Sequence, residues 1–187
     1  MLREKKDVVV RDATLADARF VAWTVLLAID LDPTEKNIKR AVKVCSADDT
    51  LYSWRNARIC EVDGKVAGCL VSYSGDLYPQ MRLNTYQMIK ENFGLNLLDN
   101  PFETQAGEFY LDSMAFLPEF RGYGLGKTML LDGVEKGKRM GFHKTTLLVA
   151  DLHKPHLEKY YESIGFKPDG RVFSYGEDFM RMSCLSV

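Results

Sequence analysis

The sequence predicts an α/β (α+β) fold in which helices flank one central sheet of about six to seven strands. Three observations support this prediction. Strand-like runs rich in β-branched and aromatic residues alternate with segments whose apolar residues recur at helical spacing. The 187 residues suffice for one hydrophobic core and are few for two. The chain has no internal repeat, low-complexity tract or linker, so we expect a single domain over residues 1–187.

The first predicted elements are a strand and two helices. Residues 8–11 are strand-like, and Thr14 then offers a helix N-cap, with Asp17 in the capping-box position. A helix with one apolar face follows. We expect it to end at Asp32-Pro33, because proline interrupts helical hydrogen bonding. Thr34-Glu35 begins the second helix.

A hairpin and a long irregular segment come next. Residues 57–62 and 65–73 are strand-like, and the Asp63-Gly64 pair between them suits a two-residue turn, whose backbone needs positive φ. Residues 76–107 then contain a helical pattern over 81–92, which Gly94 ends. A segment this long between two strands is usually functional.

The second half of the chain alternates between strands and helices. We expect, in order, a strand at 108–116, a helix from about 124 to 140, a strand at 145–150, a helix at 155–164, and strands at 172–175 and 179–185. A glycine-rich turn joins the first two of these elements.

The overall charge argues against several classes of partner. The chain has 25 Lys+Arg and 26 Asp+Glu, a formal net charge of −1, whereas nucleic-acid-binding proteins are strongly basic. The apolar runs are too short to cross a bilayer, and the N-terminal residues lack the apolar core of a signal peptide. We therefore expect a cytoplasmic protein that binds neither nucleic acid nor membrane.

The cysteines indicate neither a zinc site nor a disulfide framework, because their spacing fits neither. Three of the four lie in apolar runs, where buried, reduced thiols are expected; the four are Cys45, Cys60, Cys69 and Cys184. We predict no metal and no cysteine nucleophile.

The most informative stretch is the glycine-rich turn after the strand at 108–116. Gly122, Gly124 and Gly126 stand at alternate positions where a helix begins, which suggests that the backbone there approaches a ligand closely. A helix start exposes unpaired N–H groups at the positive end of its dipole, an arrangement suited to phosphate. Arg121 and Lys127 add positive charge on either side.

Three phosphate-binding motifs compete for this turn. The dinucleotide fingerprint G-x-G-x-x-G fails in both frames, since Lys127 and Met129 stand where the third glycine belongs. A Walker A loop matches at Gly126-Lys127-Thr128 but has Arg121 in place of its first glycine. The pattern R-x-x-G-x-G is met in full by Arg121, Gly124 and Gly126.

This third pattern resembles the acetyl-CoA-binding motif of the GNAT N-acetyltransferases, which follows a strand ending as Phe116-Leu117-Pro118 does here. The resemblance implies a mixed, mostly antiparallel GNAT-like sheet and acetyl-CoA as co-substrate. It implies that the backbone of Met114–Phe116 pairs with the pantetheine arm, and that a bulge splays this strand from its neighbour. The coenzyme-binding residues it implies are Met114, Ala115, Phe116, Arg121, Gly122, Tyr123, Gly124, Leu125, Gly126, Lys127 and Lys154.

The helix after the turn carries further glycines on one row. Gly126, Gly133 and Gly137 share a face with Leu130, although each interior glycine costs about 1 kcal/mol relative to alanine. A smooth face that lets the helix approach the sheet closely would explain that cost.

Downstream, residues 160–166 resemble the family's Y-x-x-x-G-F signature. The match implies that Tyr161 protonates the departing coenzyme thiolate, with Tyr160 as the adjacent alternative. Lys154 stands where the family often has asparagine, which puts that contact in doubt. His153 and His156 form an H-x-x-H pair, but no third ligand accompanies them to suggest a metal.

Amine acetylation also needs a group that removes a proton, because an amine attacks only when neutral. Asp112 on the central strand is the first candidate for this base and Glu108 the second. The acceptor is a small-molecule or protein amine, expected against the first two helices and the 76–107 segment, which holds Tyr78, Arg82, Tyr86 and Glu103.

Two alternatives to an acetyltransferase stay open on sequence alone. A non-catalytic acetyl-CoA sensor would keep the glycine turn but lack a base. A P-loop phosphotransferase is suggested by Gly126-Lys127-Thr128. The oligomeric state, monomer or homodimer, is not determined by the sequence.

Overall fold

The computed structural model describes residues 6–150 and 156–186, which form a seven-stranded mixed sheet in the order β1-β2-β3-β4-β5-β7-β6. Strands β4 and β5 form a parallel pair and the other described pairs are antiparallel, which confirms the mixed, mostly antiparallel sheet that the family resemblance implies. The strands are β1 (Val8–Asp12), β2 (Ala57–Val62), β3 (Lys65–Ser74), β4 (Glu108–Phe116), β5 (Lys144–Ala150), β6 (Lys167–Ser174) and β7 (Glu177–Leu185).

Five helices in the described part of the chain cover the two faces of the sheet: α1 (Ala18–Ala28), α2 (Glu35–Ser46), α3 (Tyr78–Phe93), α4 (Leu125–Arg139) and α5 (His156–Glu162). Helices α1, α2 and α3 enclose one apolar core, and α4 and α5 contribute to a second. Neighbouring residues of a strand enter different cores, since Ile59 belongs to the first and Cys60 to the second. None of the described helices is long and apolar enough to cross a membrane.

Local sequence features set several of these boundaries as predicted. The Thr14 amide and hydroxyl both donate to the Asp17 carboxylate, at 2.8 and 2.9 Å. The Asp63-Gly64 turn has φ of 51° and 74°, which is the two-residue hairpin geometry expected for this pair. Gly94 ends α3 in the left-handed conformation, with φ of 74°.

Other predicted boundaries were wrong. Helix α1 ends at Ala28, before Asp32-Pro33, because Asp30 adopts the left-handed conformation (φ 54°) and the Leu31 amide closes back on the Leu26 carbonyl at 2.9 Å. Helix α3 begins at Tyr78, earlier than expected, with a proline in its first turn.

The final hairpin also differs from the prediction. Strand β6 begins at Lys167, and Tyr175 lies in the turn after it, where the sequence suggested strand. Tyr175 and Gly176 both have positive φ, 53° and 85°, and Ser174 pairs with Glu177 across the turn. The β6–β7 turn therefore carries a tyrosine at its tip.

The glycine row on α4 lies against the sheet as expected. A Cβ atom at Gly133 would lie 2.8 Å from Leu111 Cδ2, and one at Gly137 would lie 2.9 Å from Cβ, Cγ and Cδ1 of Phe109. Side chains at these positions would push the helix away from β4. This close packing fixes the start of α4 next to the end of β4.

Candidate active site

The parallel pair at the centre of the sheet separates after three residue pairs. Strands β4 and β5 pair only from Glu108–Tyr110 to residues 144–146, while β5 stays paired with β7 as far as Ala150. The rest of β4, residues 111–116, pairs with β3 alone. In the part of the chain that the structure describes, the backbone groups of residues 111–115 that face away from β3 have no strand partner, so they can bind another extended chain.

A bulge in β4 accompanies this separation. Leu70 of β3 pairs with Met114, but Ser72 pairs with Leu111, so β4 has one more residue than β3 between these pairs. The extra residue lies at Asp112-Ser113. A bulge bends its strand and re-aims its side chains, as the sequence analysis expected here.

A cavity of about 530 Å³ lies where the two strands diverge. Residues of both strands and of α5 line it, among them Asp112, Met114, Leu147 and Tyr161. Residues after α1 and within the segment between α3 and β4 line it too, as does Tyr175 from the final hairpin. Its size is that of a typical small-molecule site.

The glycine turn lies between the end of β4 and α4. Gly122 and Gly124 have φ of 80° and 78°, and Gly124 is the N-cap of the helix. The amides of residues 122–126 donate no hydrogen bond to the described part of the chain. Arg121 Nε donates to the Phe116 carbonyl at 3.0 Å, which ties the turn to the end of the open strand. Exposed Lys127 follows in the first turn of α4, so the arrangement suits an anion.

Asp112 occupies the bulge and is partly buried against the cavity. Tyr73 Oη and Ser113 Oγ both donate to its carboxylate. Burial, and then the negative charge of Glu103, raise the pKa of Asp112 to about 7. Such a carboxylate accepts and releases protons near neutral pH.

Glu103 is a cavity residue to which the sequence analysis assigned no role. Its carboxylate accepts hydrogen bonds from Tyr110 Oη at 2.8 Å and Tyr175 Oη at 2.6 Å. Tyr86 Oη lies 2.6 Å from Tyr175 Oη and extends this network. The only sequence feature that pointed to Glu103 was its position in the long segment before β4.

Glu108, the second candidate base, does not line the cavity. Its buried carboxylate binds the Arg181 guanidinium, lies 3.5 Å from Lys144 Nζ, and accepts a hydrogen bond from Thr104 Oγ1 at 3.1 Å. The pKa of Glu108 is lowered: burial acts to raise it, and the interactions with Arg181 and Thr104 outweigh burial. The prediction of a basic role for Glu108 is corrected, because an ion-paired carboxylate outside the cavity has no access to an acceptor.

The two adjacent tyrosines of α5 occupy different places. Tyr161 lines the cavity and packs edge-on against Phe166, while the hydroxyl of Tyr160 lies 2.9 Å from where a Cβ of Gly126 would be. Burial raises the pKa of Tyr161 to about 12, with a smaller contribution from Tyr160. Tyr161 is therefore a protonated phenol at neutral pH.

Of the remaining predicted residues, Ala115 and Phe116 lie on the open part of β4, and the Phe116 ring lies against Gly68. Tyr123 is exposed in the glycine turn, with Lys6 Nζ 4.0 Å from its ring centre. Lys154 lies outside the described residues, as does His153 of the H-x-x-H pair. The described residues contain no group of three His, Cys, Asp or Glu side chains that could hold a metal ion.

Comparison with known proteins identifies the family. The model of the Acetyltransferase (GNAT) family matches residues 26–166, which is most of the chain. The chain belongs to the GNAT acetyltransferase family. Membership sets aside the P-loop phosphotransferase, whose motif was incomplete here. No curated protein sequence matches the chain significantly.

Solved structures share the GNAT fold over nearly the whole chain. An acetyltransferase crystal structure is 25% identical, covers 95% of this chain and 98% of its own, and has a TM-score of 0.77. An N-acetyltransferase from Staphylococcus aureus Mu50 is 23% identical, with coverages of 94% and 99% and a TM-score of 0.72. The protein yncA from Salmonella typhimurium, solved with its cofactor acetyl-CoA, is 14% identical, with coverages of 95% and 93% and a TM-score of 0.60.

Proposed function

We propose that this GNAT protein transfers the acetyl group of acetyl-CoA to a primary amine by direct attack within a ternary complex. The observation that carries the proposal is the separation of β4 from β5, which opens onto a cavity holding both Asp112 and Tyr161. Met114, on the part of β4 that pairs with β3 alone, lines this cavity, and a Cβ atom at Gly126 of the glycine turn would lie 3.7 Å from Met114 Cε. A site for an extended, phosphate-bearing substrate thus lies beside a base and an acid.

The coenzyme end of the site is formed mainly by backbone. The amides of residues 122–126, with Arg121 and Lys127 beside them, suit the pyrophosphate because a helix N-terminus favours negative charge. The free edge of β4 at Met114–Phe116 suits the amides of the pantetheine arm, which would pair with it as an added strand.

Asp112 is the group that removes the proton from the attacking amine. Its raised pKa, about 7, places it between ionised and protonated forms at neutral pH. The ionised Asp112 carboxylate takes a proton from the ammonium group of the acceptor, and the resulting neutral amine then attacks the acetyl carbon. Tyr73 holds that carboxylate in place by donating a hydrogen bond to it.

Tyr161 is the group that protonates the leaving thiolate. The carbon–sulfur bond breaks as the amide forms, the sulfur takes the phenolic proton, and the second proton lost by the nitrogen replaces it on Tyr161. With a pKa of about 12 this phenol stays protonated until a stronger base develops beside it. Burial raises the pKa of Cys60 to about 11 and of Cys69 to about 12, so neither offers a thiolate for a covalent route.

Pre-steady-state mixing with acetyl-CoA tests direct transfer. We expect no release of coenzyme A thiol and no acetylated protein until an amine is added, and then acetylated amine and free thiol in equal amounts. A burst of thiol without amine would contradict direct attack. Acetyl-CoA binding without turnover across a broad amine panel would favour the non-catalytic sensor.

A further inference from the structure

The cavity carries an excess of negative charge. Four carboxylates line it, and the described residues that line it include no lysine, arginine or histidine; the four are Asp30, Glu103, Asp112 and Glu177. The chain as a whole has a net charge of only −1, so this concentration is local. A cleft lined by one sign of charge raises the local concentration of ligands of the opposite sign.

Two carboxylates of the cavity are held differently from three other partly or fully buried carboxylates of the protein. Asp17 pairs with Arg11, Asp132 with Arg58 and Glu108 with Arg181, each through a direct ion pair. Glu103 and Asp112 instead accept hydrogen bonds from neutral hydroxyl groups. These hydroxyl groups orient the carboxylates without supplying a positive charge, so a cationic ligand can provide the counter-charge.

The rest of the lining suits an alkyl chain with cationic groups. Aliphatic side chains of Leu31, Ile89, Leu95 and Leu97 contribute apolar surface, on which methylene groups can be buried. The aromatic residues Tyr52, Tyr110, Tyr175 and Phe179 line the same space, and aromatic rings attract ammonium groups. A ligand carboxylate would meet only repulsion from the four acidic side chains.

We infer that the acceptor is a linear alkylamine with at least one further positive charge and no carboxylate, such as a diamine or polyamine. This inference rests on the proposed acetyl transfer. The amine to be acetylated lies at Asp112, and a second ammonium group is held by the combined charge of Glu103, Glu177 and Asp30. Acetylation removes one positive charge from the acceptor, which weakens its hold on the cavity and favours product release.

A series of acceptors with one carbon skeleton tests the inference. We expect kcat/KM for 1,4-diaminobutane to exceed that for butylamine by about 10- to 100-fold, the size of one charge-assisted contact, and 4-aminobutanoate to be poorer still. Butylamine or 4-aminobutanoate matching the diamine would overturn the inference but leave acetyl transfer intact. Coenzyme A release with none of these amines, together with no calorimetric binding of the diamine to the coenzyme A complex, would overturn it as well.

Paired variants locate the effect in the cavity. Glu177→Gln should lower the preference for the diamine over butylamine about 3- to 10-fold, since one attractive charge is lost. Asp178→Asn is the matched control, because it removes the neighbouring exposed carboxylate, which does not line the cavity. An equal change in both variants, or none in Glu177→Gln, would contradict recognition by the cavity charges.

Discussion

At the residue scale, Asp112 and Glu108 show that two carboxylates of one strand can have very different pKa values because their surroundings differ. Glu108 is neutralised by Arg181 and has a lowered pKa, whereas Asp112 receives only hydroxyl donors and has a pKa of about 7. The sequence placed both on β4 but did not reveal that Arg181, from β7, lies beside one of them. Whether each carboxylate can act as a base therefore depends on whether a cation from a distant part of the chain lies beside it.

Asp112→Asn should remove the base and its pH dependence together. In the parent, kcat at saturating acceptor should rise with pH through about 7 and then level, because the ionised carboxylate is the active form. The variant should lose about 100-fold or more in kcat, and the rise near pH 7 should disappear. Turnover assays between about pH 5.5 and 9, roughly one to two pH units on either side of that pKa, measure the loss in kcat and the change in its pH dependence. Unchanged turnover with an unchanged profile would rule Asp112 out as the base.

The same carboxyl group should influence folding stability. Its folded pKa of about 7 lies above the ordinary aspartate value of about 3.9, so the folded state binds the proton more tightly. The stabilisation from Asp112 is full below about pH 4 and is lost as pH rises to about 7. Relative to Asp112→Asn, the parent should lose roughly 2–4 kcal/mol of unfolding free energy across this window. Parallel stability curves from urea unfolding would contradict the raised pKa.

Tyr161→Phe isolates the proposed acid. Loss of the phenolic proton should lower kcat by about 100-fold while coenzyme affinity changes little, because the ring still packs against Phe166. Tyr160→Phe is the control, since that hydroxyl lies over Gly126. Steady-state kinetics together with acetyl-CoA titration separate the two effects. A larger loss of kcat in Tyr160→Phe than in Tyr161→Phe would instead identify Tyr160 as the acid.

At the element scale, helix α4 depends on its glycine face. Gly137→Ala should destabilise the protein by about 1–3 kcal/mol, because the new methyl group meets buried Phe109 and outweighs the helix propensity gained. Glu135→Ala, at an exposed position of the same helix, should change stability by less than about 0.5 kcal/mol. Chemical denaturation measures both. A stabilised Gly137→Ala variant would show that the helix does not need this close approach.

The elements themselves were largely predictable, and their ends less so. Periodicity and turn residues predicted each strand of the described sheet, because these features act locally. The end of α1 was missed because Asp30, and not a glycine, adopts the left-handed conformation that closes the helix. The position of Tyr175 was missed because a Tyr-Gly pair is a weaker turn sequence than Asp-Gly.

At the scale of the whole molecule, the sequence predicted the glycine turn and the strand before it, where we propose that the coenzyme binds. The glycine turn, the open part of β4 and Tyr161 follow from motifs of contiguous residues. The acceptor half combines residues after α1, the segment before β4 and the final hairpin, as Glu103 with Tyr175 shows. Such contacts join positions far apart in sequence, and no local pattern encodes them.

The central claim is that acetyl-CoA binds at the glycine turn of this GNAT protein, and calorimetric titration with acetyl-CoA tests it most directly. Gly124→Glu places a negative side chain at a φ of 78° in the turn, and Gly64→Glu imposes the same backbone strain (φ 74°) in the β2–β3 hairpin. We expect binding near ~1 μM, about −8 kcal/mol, in the parent and in Gly64→Glu, and its loss in Gly124→Glu. Binding that survives in Gly124→Glu, or fails in the folded parent, would contradict the account.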